Sequence, residues 1–138
     1  MLFRSIRIKA NTSAITQYLP KDLAQFASDH PEVKLELEES RSVEIVQALR
    51  EGRADIGVVM DGVDLEGLLG FAYRQDRLVA VVPRGHELRA RKVGFVQLLK
   101  YDLVGLDSSA AMMRLLGEAA LAAQQPLRLR MQIGRAHV

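Results

Sequence analysis

The sequence predicts an α/β fold on three observations. Runs with strand periodicity take turns with segments of helical periodicity, and the connections between them are short. The order strand, helix, strand, helix, strand fills the first 60 residues, and a similar motif begins again near residue 95. Two successive α/β lobes follow, the second with fewer elements than the first.

Residues 4–10, RSIRIKA, place Ile6, Ile8 and Ala10 on one side and basic residues on the other, the period-2 pattern of a strand. The period then changes. Over residues 13–28 the apolar positions Ile15, Tyr18, Leu19, Leu23 and Phe26 fall at helical spacing, ending before His30 and Pro31. Pro20 inside a regular helix would cost ~3 kcal/mol, so a kink or a re-start is expected there. VKLELEE alternates again as a strand. A second helix is expected over 42–51, with Val43, Val46, Ala48 and Leu49 packing inward and Gly52 suited to the left-handed residue that ends it. ADIGVVM is almost continuously apolar, which predicts a strand buried on both faces of a parallel sheet.

DGVDLEG is a surface loop by composition, and LLGFAYRQDRLVAVVP predicts one or two further strands stopped by Pro83. Residues 84–94 are polar and form a crossing. A short helix over 95–99, a strand LVGL, a helix over 109–124 and a strand LRLRMQI follow. Ala110, Met113, Leu116, Ala120 and Ala123 form the packing stripe of that helix. The division predicted is therefore 1–83 for the first lobe, 84–132 for a partial second lobe, and 133–138, IGRAHV, for a non-native tail.

Composition narrows the function. At 138 residues and 49% hydrophobic content the chain has enough apolar side chains for one modest core or two small lobes. No run approaches the ~20 apolar residues that span a bilayer, so no membrane partner is expected. The amino terminus lacks the pattern of a signal peptide, which predicts a cytoplasmic location. With no cysteine, disulfides, thiol catalysis and cysteine zinc sites are excluded. Lys plus Arg number 19 against 17 Asp plus Glu, spread along the chain, and the one basic crowding, PRGHELRARK, suits a solvated loop better than a phosphate footprint.

The turn ANTSAITQYLP opens a helix with Asn11, Thr12 and Ser13. A helix start leaves about four N–H groups unpaired and carries roughly half a positive charge, so hydroxyls there serve either as a cap or as help in holding a small anion. Ser42 opens the second helix, and on a parallel sheet its turn lies on the same carboxyl-end edge. Met60 ends the third strand at that edge, either as packing or as an apolar wall for a ligand. LDSSAAMMRLL repeats the arrangement in the second lobe with Ser108 and Ser109. Catalysis has no comparable support. His30 and His86 have no serine or carboxylate at a telling spacing, and Glu38, Glu39 and Glu44 fit solvated positions. No spacing suggests a metal, and Gly52, Gly57 and Gly62 do not follow a nucleotide-binding order, so no cofactor is expected.

IRIKANTSAITQYLP, FASDHPEVKLELEE, VQALREGRADIGVV, DRLVAVVPRGHEL and YDLVGL, in that order and spacing, carry a family likeness. The chain resembles the effector-binding domain of LysR-type transcriptional regulators from about Ile6 to Gln132, EGRADIGVV and VVPRGHEL being the most specific pieces. The resemblance implies a two-lobed fold like that of type 2 periplasmic binding proteins, with mixed, mostly parallel sheets and an incomplete second lobe. It implies a non-enzymatic module that binds a small metabolite, a carboxylate or other small anion, between the lobes and so modulates transcription. Thr12 and Ser13 match the positions that commonly contact the effector, which turns the balance from cap to ligand. Ser42, Met60, Ser108 and Ser109 are the further candidate contacts. The intact protein is expected to be a homo-oligomer, contacting through the helix over 15–26, and to bind DNA only through an amino-terminal helix-turn-helix outside this sequence. The alternative is a solute-binding component of a transporter with the same fold. An enzyme on this scaffold would need a converging titratable pair, which the sequence does not offer.

Overall fold

The structure, a computed structural model, describes residues 4–89, 92–106 and 111–134. The chain divides into two compact units, Met1–Tyr73 and Arg74–Val138.

In the first unit the order is β1 (Arg4–Ala10), α1 (Thr12–Gln17), α2 (Leu19–Asp29), β2 (Val33–Glu39), α3 (Ser42–Arg50) and β3 (Ile56–Val58). The three strands form a parallel sheet in the order β2-β1-β3, with Ala10 opposite Glu39 on one side and Val58 on the other. Two successive strand-helix-strand units, β1 to β2 and β2 to β3, produce that order, the second crossing over β1 so that β1 is central. The alternation in β1 buries Ile8 and Ala10. Ala10, Ala14 and Leu19 form the core beneath α1 and α2, with Ile15, Leu23 and Val58 packed around them. Full burial of a side chain such as Leu19 stabilises by roughly 1.5–3 kcal/mol. The helix expected over 13–28 does re-start: Tyr18 leaves helical geometry at φ −121°, and Pro20 stands in the first turn of α2, where its missing N–H costs no hydrogen bond.

On the opposite face α3 lies very close to β3. A Cβ built on Gly57 would stand 2.5 Å from Ile45 Cγ2 and 2.8 Å from Leu49 Cδ1. Ser42, Ile45, Val46 and Leu49, at i, i+3, i+4 and i+7, make the inward stripe of α3. This corrects the expectation for Val43, which is 60% exposed because it stands a hundred-odd degrees around the helix from that stripe. Ile45, fully buried, takes the central position. The helix ends at Gly52, φ +74°, as its sequence predicts.

Two strand expectations are corrected. β3 is only three residues long, and Ile56 is 48% exposed rather than buried on both faces. Its one hydrogen-bonded neighbour among the described residues is β1, so it is an edge strand. Residues 68–83 contain no strand, and Leu69, Phe71, Val79 and Val81 are largely exposed. β-branched and aromatic composition produces a strand only where a neighbour supplies the ladder hydrogen bonds.

The second unit contains α4 (Phe95–Leu98), β4 (Leu103–Leu106), α5 (Ala111–Ala122) and β5 (Leu129–Ile133), with β4 and β5 parallel. Met113 and Ala120 are buried, as the α5 periodicity requires. Gly105 permits the close approach, since a Cβ there would meet Leu129 Cδ2 at 2.9 Å and Met113 Cε at 3.0 Å. The first residues of the helix expected over 109–124 lie outside the described residues. Arg128 ties the start of β5 to the loop before β4, donating to Asp102 Oδ1 and to the Lys100 carbonyl. His86 is held in its turn, its Nδ1 accepting the Leu88 N–H at 3.1 Å, with the Tyr101 ring 5.4 Å away. The Tyr101 hydroxyl donates to Glu87, and that bond raises the phenol above its ordinary pKa.

Candidate functional site

The carboxyl ends of β1, β2 and β3 make one edge of the first unit, and backbone bonds tie their turns together. The Asn11 N–H donates to the Val58 carbonyl at 3.1 Å, and the Ser40 N–H donates to the Ala10 carbonyl at 2.9 Å.

Asn11 is extended (φ −74°, ψ 168°), and its side-chain oxygen accepts the Ala14 N–H at 3.0 Å. Asparagine therefore caps α1, and neither Thr12 nor Ser13 is needed for that task. Thr12 Oγ1 donates to Glu39 Oε1 at 2.5 Å. Ser13 is exposed, and its hydroxyl makes no hydrogen bond among the described residues. Both hydroxyls stand at the edge where the sequence placed them.

Ser42 occupies a different role. It is buried, and its Oγ accepts the Met60 N–H at 3.1 Å, so it acts as a strut between the start of α3 and the end of β3. The N-cap of α3 is Arg41, without a side-chain capping bond. Met60, half-buried, is thereby held at the same edge as Thr12 and Ser13. Ser108 and Ser109 lie outside the described residues.

Glu39, weighed in the sequence only as a solvated carboxylate, is the residue that the structure adds to this edge as the acceptor of the Thr12 hydroxyl. In VKLELEE the positions Val33, Leu35 and Leu37 share the face of Ile6, Ile8 and Ala10, and Glu39 is the next residue on that face. Glu38 points to the other face and pairs with Lys9 at 3.1 Å, the lysine side chain being only 16% exposed. There a groove of about 490 Å³ opens, lined by Lys9, Glu38, Ser40, Glu44, Gln47 and Arg53 among others, and it includes none of the six predicted residues. Its charges are largely matched within the chain, Arg53 sitting 2.6 Å from Glu51. At the far end of the sheet Arg7 holds Asp55: the guanidinium donates to both carboxylate oxygens and to the Gly52 carbonyl, and the Arg7 N–H adds a fourth bond. The side-chain bond, then the backbone one, keeps the Asp55 carboxyl below its ordinary pKa. His30 stacks on Phe26 at 4.7 Å, away from the strand carboxyl ends. Among the described residues no three His, Cys, Asp or Glu gather as metal ligands, and no helix is long and apolar enough to cross a membrane.

A parallel sheet that gathers hydroxyl-bearing turns at its strand carboxyl ends belongs to the class of α/β domains that take ligands at that edge. Residues 2–138 match the LysR substrate binding domain family, and the chain belongs to it. It is 24% identical over 115 residues to a probable RuBisCO transcriptional regulator of Trieres chinensis, covering 79% of this chain and 37% of the relative. It is 28% identical over 103 residues to the HTH-type transcriptional regulator SsuR of Burkholderia cenocepacia, covering 72% of this chain and 33% of the relative. The chain thus spans about a third of the curated relatives it matches. Among solved structures it is similar to the effector binding domain of QuiR in complex with shikimate, with a TM-score of 0.83 at 11% identity over 97% of this chain and 66% of that one. It is also similar to the BenM effector binding domain with benzoate, with a TM-score of 0.73 at 19% identity over 100% of this chain and 64% of that one. The expected type 2 periplasmic-binding-protein-like α/β fold stands on these matches and on the two parallel sheets.

Proposed function

We propose that this chain is the effector-sensing part of a LysR-type transcriptional regulator, and that it binds a small metabolite bearing an acid group through Thr12 and Ser13. The observation that carries this reading is the capping of α1 by Asn11, which leaves both neighbouring hydroxyls exposed at the strand carboxyl ends. Met60 supplies an apolar neighbour, Ser42 holds it in place, and Ser108 and Ser109 are proposed as further contacts. The relatives are regulators by name, and the shikimate and benzoate of the two similar domains are both carboxylates. In the whole protein, recognition rather than catalysis is the outcome: effector binding biases one arrangement of domains and subunits over another, and a helix-turn-helix outside this sequence contacts DNA. A homo-oligomer working in the cytoplasm completes the proposal.

The test is titration calorimetry of the full-length protein with a panel of small carboxylates, repeated on Thr12→Ala and Ser13→Ala. A hydrogen bond to a charged group contributes about 1.5–3 kcal/mol, so each variant should bind the hit at least about ten-fold more weakly with an unchanged melting temperature. Equal affinities in all three proteins remove the hydroxyls from the site.

A further inference from the structure

We infer that His86 is a pH-sensitive pin for the turn over residues 83–89 of the second unit: neutral, it closes the turn over Leu88, and protonated, it lets the turn open. The piece VVPRGHEL, among the most specific of the sequence, has no part in the effector reading, and the pin stands apart from that reading. Gly85, at φ +83°, reverses the chain, and the His86 N–H donates to the Pro83 carbonyl at 3.1 Å, the pattern of a turn with glycine at its third position. The His86 carbonyl then accepts the Arg89 N–H at 3.1 Å, which makes a second turn. Between the two, His86 Nδ1 accepts the Leu88 N–H at 3.1 Å. One residue thus joins both turns and bonds the backbone of Leu88, which is buried while Glu87 and Arg89 on either side are exposed.

The bond to Leu88 exists in one charge state only. A neutral imidazole has one ring nitrogen that accepts, whereas an imidazolium has two donors and no acceptor. Protonation therefore sets an N–H against the Leu88 N–H, and the turn loses a bond and gains a repulsion. His86 is half-buried, so solvent protons reach it. The charged groups around it oppose one another. On its own turn Arg84 and Arg89 disfavour a further positive charge and Glu87 favours it. From the loop before β4, Tyr101 sets its ring 5.4 Å from the imidazole, a neighbour that suits either state, and its hydroxyl donates to Glu87. Lys100 and Asp102 flank Tyr101, and Arg128 donates to the carbonyl of the one and the carboxylate of the other. The contact that protonation removes is the bond to Leu88. The turn is thus held firmly at higher pH and loosens as pH falls through the titration, which for an ordinary imidazole lies between about pH 5 and 8.

Hydrogen exchange of the full-length protein tests the pin, read by mass spectrometry on peptides covering residues 83–89 and expressed as protection relative to the unstructured rate at each pH. Loss of one such bond should lower that protection about three- to ten-fold between about pH 8 and about pH 5.5, a window above the ordinary titration of carboxylates. His86→Asn offers an amide oxygen to the N–H two residues on and does not titrate, so its protection should stay high at both ends of the window. His86→Phe keeps a ring against Tyr101 without an acceptor, and should be weakly protected at both. Wild-type protection that does not change with pH overturns the inference. So does a fall in His86→Asn as large as that in wild type, which assigns the effect to another titrating group. High protection in His86→Phe at both ends also overturns it, because the bond to Leu88 then holds nothing. Should His86→Phe fail to fold, the contrast between wild type and His86→Asn decides by itself, an equal fall in the two overturning the pin.

Discussion

Gly57 is where the packing of the first unit is most sharply exposed to a single methyl group. In Gly57→Ala the new Cβ would stand 2.5 Å from Ile45 Cγ2 and 2.8 Å from Leu49 Cδ1, against an ordinary carbon contact of about 3.5–4.0 Å. Leu49 can turn its methyl aside. Ile45 cannot: it is fully buried, and a β-branched side chain in a helix is confined to essentially one rotamer. Relief requires α3 to move out by about 1 Å, which strains the Ser42 bond to the Met60 N–H that ties the helix to the end of β3. Overpacking of this kind costs about 1–3 kcal/mol, and the reduced freedom of the unfolded chain returns about 0.4–1 kcal/mol, since Gly57 sits in strand geometry that alanine adopts. The net expectation is a loss of about 1–2 kcal/mol, read as a fall of about 0.5–1 M in the urea midpoint followed by circular dichroism. Ile45→Ala, which removes the offending methyl, should cost at least about 1 kcal/mol less in the Gly57→Ala background than in wild type. A Gly57→Ala midpoint equal to or above wild type would refute the close approach of α3 to β3.

Two further outcomes follow from the same unit. Ser42→Ala removes the acceptor of the Met60 N–H and should destabilise by about 1–3 kcal/mol in urea unfolding, while Ser42→Thr, which restores an acceptor oxygen, recovers part of it; no loss in the alanine variant would mean the hydroxyl is no strut. Asp55 has its folded pKa depressed, chiefly by the hydrogen bond from the Arg7 side chain, so its stabilisation is present above the unfolded pKa and disappears as pH falls through the folded one. The gap in urea midpoint between wild type and Asp55→Asn should therefore be constant from about pH 7 to 5 and close as the solution is made more acid than about pH 4; a gap that persists there assigns the effect to something other than ionised Asp55.

Much of the scaffold was legible because periodicity is a local property. Ile6, Ile8 and Ala10 announced β1, Met113 and Ala120 announced α5, and Pro20 announced the break that became the start of α2. The errors share one cause. Residues 68–83 have strand composition, and ADIGVVM has the composition of a doubly covered strand, yet pairing and cover come from elsewhere in the chain. Val43 failed for a related reason: with apolar side chains on more than one side of α3, the phase of the helix was chosen by the space above Gly57. At the candidate site Thr12 and Ser13 were visible from residue type and position, whereas their separate conditions were not. Whether a hydroxyl is free depends on Asn11, three residues from its partner Ala14, and on Glu39, which reaches Thr12 across a strand pairing.

The amino-acid order alone determined the alternation of strands and helices, the family likeness and the edge at which small hydroxyl residues collect, since each follows from neighbours within a few turns of the chain. Tertiary structure decided which of those groups are already spoken for. A hydroxyl's single proton and a buried methyl's few ångströms of room are settled only when segments distant in sequence come into contact, as β2 does when it brings Glu39 to Thr12 and α3 when it lays Ile45 over Gly57.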